Sequence, residues 1–77
     1  MKTTETMHAL SAVAGVTKVR MTKTQIFVHF APFFSTDSAY ARLVAFGAAH
    51  RLWRSQNVSG AGVGFDQDGG EIFAITR

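Results

Sequence analysis

The stretch VTKVRMTKTQIFVHF, residues 16–30, decides the fold of this chain. Read alternately, one parity carries Thr17, Val19 and Met21, then Ile26, Val28 and Phe30, an apolar set fit for a core. The other carries Lys18 and Arg20, then Gln25, Phe27 and His29, cations interleaved with an aromatic ring and an imidazole. Alternation with a period of two marks half-buried strands. With Thr22 and Lys23 as a two-residue loop, Arg20 faces Gln25 and Val19 faces Ile26. A four-residue loop keeps the same parity, whereas a three-residue loop breaks it. Thr-Lys is a poor pair for the primed turns, so the loop length stays open. Ala31 and Pro32 end the second strand, because proline cannot donate to a ladder.

Beyond Pro32, the residues Ser35, Thr36 and Asp37 all qualify as helix caps, and Asp37 suits the positive end of a helix dipole. A helix then runs to about Gln56. Ala39, Leu43, Phe46, His50 and Trp53 share one stripe of it, with His50 as a hydrogen-bonded core histidine. Ala41, Val44, Ala45, Ala48 and Leu52 form a smaller stripe on nearly the opposite side, with Arg42, Arg51 and Arg54 between the two. A single sheet buries only one stripe. The large one belongs on the sheet, and the small one is a candidate helix interface for residues 7–13, a partner, or a second copy in a homodimer.

Residues 57–60 read as a turn, and Gly62–Phe65 and Glu71–Thr76 as strands around the turn DQDGG, residues 66–70. With Asp68-Gly69 as the loop, Phe65 faces Ile72, Gly64 faces Phe73, and Asp66 meets Glu71, which is mildly unfavourable. Phe73 then covers a bare glycine and lies with Ile75 on the face away from Phe65 and Ile72. At the other end, residues 1–6 are polar and expected to fray. Residues 7–14 read either as a short N-terminal helix closed by Gly15 or as an extension of the first strand.

Together these elements predict a single α+β domain over residues 1–77. Two antiparallel hairpins flank one long helix (ββαββ), forming a four-stranded sheet with the helix packed on one face. Its core is Leu43, Phe46 and Trp53 against Val19, Ile26, Val28 and Phe65. Strand order is open.

Composition narrows the function. Apolar residues make up 47% of the chain and charged ones 17%, a lean polar surface that leaves apolar area for a partner or a second copy. The net charge of +3, with a pI near 10.0, suits simple solubility, nucleic acid or an acidic protein surface. With no cysteine there is neither a disulfide nor a thiolate metal site, which suits the cytoplasm. No apolar run approaches the roughly 20 residues that cross a bilayer. Residues 1–6 lack the pattern of a secretory signal.

The chemical motifs are weak. The alternate glycines of SGAGVGF, residues 59–65, follow a helix rather than open one, unlike a phosphate loop. DQDGGE, residues 66–71, lacks the distant glutamate of a calcium loop. His8, His29 and His50 match no zinc spacing. His29 with Asp66 or Glu71 would make a general base, but no nucleophile or metal accompanies it. No cofactor, metal or catalytic set is therefore implied, and the chain reads as non-catalytic.

Lys18, Arg20, Gln25, Phe27, His29 and Phe73 remain as the candidate contact group. Cations beside rings on an open sheet track phosphates and stack bases in single-strand binders, and the same surface suits an acidic, partly apolar protein. The leading expectation is a protein-binding inhibitor or regulator of a larger complex. Single-stranded nucleic-acid binding is the alternative. In size and profile the chain is similar in type to the small phage and mobile-element proteins that block host defence complexes, anti-CRISPR proteins among them; no motif carries that similarity.

Overall fold

The structure is a computed structural model that describes residues 3–50, 58 and 62–76. Its element order is α1 (Thr3–Ser11), β1 (Val16–Met21), β2 (Gln25–Phe30), α2 (Thr36–His50), β3 (Gly64–Phe65) and β4 (Glu71–Thr76). The strands form one antiparallel sheet in the order β1-β2-β4-β3, so the two hairpins join through their second strands. The α+β class and the four-stranded sheet are as expected; a helix precedes the first hairpin, and the second hairpin has one very short arm. Among the described residues no helix is long and apolar enough to cross a membrane.

The helix α1 decides between the two readings of residues 7–14. It starts at Thr3, inside the segment expected to fray, with Glu5 in its first turn. Thr6 and Leu10 are buried on its inner side. Single-turn bonds from Ala12 N–H to Ala9 O and from Val13 N–H to Leu10 O tighten its end. Gly15, at a φ of 91°, then turns the chain into β1, a conformation that strains any residue with a Cβ.

In the first hairpin Met21 pairs with Ile26, Arg20 with Phe27, Val19 with Val28 and Lys18 with His29. Thr22 closes the turn, its N–H donating to the Gln25 carbonyl and its Oγ1 accepting from the Gln25 N–H. The turn therefore centres on Lys23-Thr24, one residue beyond the Thr22-Lys23 expectation, which moves every cross-strand pairing by two. A shift of two keeps the parity, and Ile26, Val28 and Phe30 are buried as predicted. It also places Arg20 opposite Phe27 instead of Gln25. One residue departs from its face: the register slips between Val16 and Lys18, and Thr17 becomes the extra residue of a bulge. Thr17 is exposed, with its hydroxyl donating to the His29 carbonyl at 3.3 Å.

Ser35 caps α2. Its Oγ accepts from the Ser38 N–H at 3.2 Å and its carbonyl from the Ala39 N–H at 3.0 Å. Ala39, Leu43, Phe46 and Gly47 are the buried helix residues, and they meet Leu10, Ile26, Val28, Phe30, Phe73 and Ile75 in one core cluster. His50 departs from the predicted stripe: it is exposed, with its ring 4.4 Å from that of Phe46. The expected helix beyond His50, including Arg51, Leu52, Trp53 and Arg54, lies outside the described residues. Val58, placed in a turn by the sequence, is buried and bridges Ile75 at the sheet.

The second hairpin differs by a single residue. Asp66 N–H donates to the Gly70 carbonyl and Gly69 N–H to the Asp66 carbonyl, with Gly69 at a φ of 85°. These bonds define a three-residue loop, Gln67-Asp68-Gly69, where a two-residue loop was expected. The longer loop pairs Asp66 with Gly70 and so avoids the like-charge Asp66–Glu71 pair. Phe65 then faces Glu71, and Gly64 faces Ile72. A slip of one reverses the faces. Phe73, predicted outside, is fully buried in the core, where its ring meets that of Phe30 edge-on at 6.0 Å. Phe65, predicted inside, is 71% exposed.

Candidate functional site

The sheet face opposite the core carries Lys18 and Arg20 from β1, Gln25, Phe27 and His29 from β2, and Ile72 from β4. The β3–β4 turn stands at one end of this face. Between β1 and that turn lies an open cleft of about 630 Å³. Thr17, Lys18 and Arg20 line one wall, Asp66, Gln67 and Asp68 the other, with His29 and Ile72 between and Phe65 at the side.

Arg20 is exposed, yet it is held on two sides. Its Nε donates to His29 Nε2 at 3.0 Å, and its guanidinium carbon lies 5.0 Å from the centre of the Phe27 ring. An imidazole nitrogen that accepts carries no proton, so the neutral His29 bears its proton on Nδ1. Nδ1 faces Asp66 Oδ2 at 3.5 Å, and the side chain of His29 is only 9% exposed. The cross-strand pairing of Lys18 with His29, and the return of β4 alongside β2, bring these three residues together from three parts of the chain.

Asp66 is fixed by its own turn. Its Oδ1 accepts from the Gly70 N–H at 2.9 Å and the Asp68 N–H at 3.0 Å. The Gly70 N–H foremost, then the Asp68 N–H and His29, hold its carboxyl below the ordinary value of 3.8, against the raising effect of burial. Among the described residues neither Lys18 nor Arg20 pairs with a carboxylate.

Of the candidate contact group, Lys18, Arg20 and His29 meet in the cleft. Phe27 is half-buried beneath Arg20, so its ring is not a free stacking platform. Gln25 pairs with Thr76 at the far end of β2. Phe73 is excluded by the register of the second hairpin. Thr17, Phe65, Asp66 and Asp68 belong to the cleft and were not in the group; the bulge and the loop length that place them depend on the folded sheet.

Glu71, the other possible partner for His29, serves the opposite face. It is buried and accepts from Thr36 Oγ1 at 2.6 Å and the Gly62 N–H at 2.9 Å, tying the start of α2 to β4. In the small helix stripe, Ala41, Ala45 and Ala48 are exposed and Val44 half-buried, while Leu52 lies outside the described residues. Comparison with protein-family models, curated proteins and solved structures finds no match.

Proposed function

We propose that this chain is a non-catalytic protein-binding module, an inhibitor or regulator of a larger complex, and that the cleft between β1 and the Asp66–Gly70 turn is its contact face. One observation carries the reading. The cleft has a cationic wall, an anionic wall and a 71% exposed phenylalanine beside them. Mixed charge around an aromatic anchor suits a protein surface, where rings and arginines supply most of the binding energy. A polyphosphate chain needs one sign throughout, and Asp66 and Asp68 interrupt it. The comparison with anti-defence proteins of mobile elements rests on size and profile alone.

Two measurements test the proposal. A photo-crosslinking residue in place of Phe65 should trap a defined protein from the native host, while the same residue in place of Lys23, at the other end of the sheet, should not. In a polarisation titration with labelled single-stranded DNA and RNA, any low-salt binding should be unchanged by Phe27→Ala and by Phe65→Ala. Binding that either substitution weakens by about 1–3 kcal/mol would mean that a base stacks there, and would replace this reading by single-strand recognition.

A further inference from the structure

We infer that Arg20 is a pre-organised recognition residue that takes a carboxylate side chain of an acidic protein partner in the cleft. This rests on the protein-binding reading and names the partner's chemistry. An exposed arginine is ordinarily mobile and loses that freedom when it binds. Arg20 is already ordered, by the acceptor nitrogen of His29 at 3.0 Å and by the Phe27 ring at 5.0 Å. Both restraints are uncharged, so neither neutralises the guanidinium. Its terminal NH2 groups have no partner among the described residues, and paired donors of this kind match the two oxygens of a carboxylate.

The surroundings narrow the ligand further. Lys18, two residues earlier on the same face, is exposed and adds a second cation. Asp66 does not compete for Arg20, because Oδ1 is taken by two backbone N–H groups and Oδ2 faces His29. Asp68 on the far wall repels a second anion close by. The site therefore fits an isolated carboxylate with donors beside it, as on a protein surface, better than a run of phosphates. Phe65 supplies the apolar contact that would accompany it.

The test is a titration of the full chain at about 0.15 M ionic strength, followed by NMR. The probes are an acetylated oligoglutamate peptide, its glutamates spaced by serine and glycine so that each carboxylate has donors beside it, and an oligothymidylate of equal charge. The oligoglutamate should shift the Arg20 Nε–H and the backbone signals of Thr17 and Lys18, and bind more tightly than the oligothymidylate. Arg20→Lys keeps the charge but loses the paired donors and the bond to His29, and should weaken oligoglutamate binding about tenfold. Lys18→Gln, on an exposed position, should weaken it less. Equal binding by Arg20→Lys, or shifts no larger near Arg20 than elsewhere, would overturn the inference and leave only attraction by net charge. Tighter binding of oligothymidylate would overturn it and the protein-binding reading together. Absence of oligoglutamate binding, with a protein still trapped at position 65, would overturn this inference alone.

Discussion

Asp66 shows how one residue joins the turn to the site. Its Oδ1 closes the β3–β4 turn while its Oδ2 faces His29, and His29 in turn holds Arg20. The fold favours its charged form, because its acidity in the folded state is stronger than the ordinary 3.8. The sign follows: the contribution of Asp66 is complete above about pH 3.8 and is lost as the pH falls through the lower folded-state value. Asp66→Asn should therefore melt below the wild type at neutral pH, and the gap should close as thermal scans move below pH 3.8. A gap that persists at low pH would assign the effect to the shape of the turn and not to the charge. In the sequence the Asp-Gly turn signal belongs to Asp68, and Asp66 is legible only as the residue that opens the segment DQDGG. The sequence offers Asp66 and Glu71 alike as partners for His29, and the choice of Asp66 is made only when β4 pairs with β2.

At the scale of the element, turn length separates what could be read from what could not. The alternation of residues 16–30 survives a pairing register displaced by two, so the buried set Ile26, Val28 and Phe30 and the outward set Lys18, Arg20 and His29 were legible. The second hairpin offers DQDGG, where either a two- or a three-residue loop satisfies the turn chemistry, and that choice reverses the strand faces. The packing at Gly70 helps to hold the longer loop. Gly70 is buried, and a Cβ there would overlap the backbone carbonyl of Phe30, which cannot swing aside as a side chain does. Gly70→Ala should destabilise the protein by about 1–3 kcal/mol, measured by urea denaturation. Unchanged stability would mean that β2 and the turn are not in the close contact described. In α2 the spacing of Ala39, Leu43 and Phe46 identified the buried stripe correctly, because a period of 3.6 does not depend on neighbouring turns.

At the scale of the whole molecule, strand order and the placing of α1 were beyond the sequence. Both follow from how the two hairpins and the N-terminal helix share one core, in which Leu10, Leu43, Phe30 and Phe73 are fully buried. The cleft is a consequence of that arrangement: β4 beside β2 brings the Asp66 turn to Arg20 and His29, and the three-residue loop turns Phe65 out while Phe73 goes in. A pair of alanine substitutions tests that exchange of two rings by urea denaturation. Phe73→Ala should cost about 3–5 kcal/mol, a large share of the roughly 5–15 kcal/mol that holds a domain folded. Phe65→Ala should stay within about 0.5 kcal/mol of the wild type, as exposed positions do. Loss of stability in Phe65→Ala, with Phe73→Ala near neutral, would place the hairpin one residue out of register and remove Phe65 from the site.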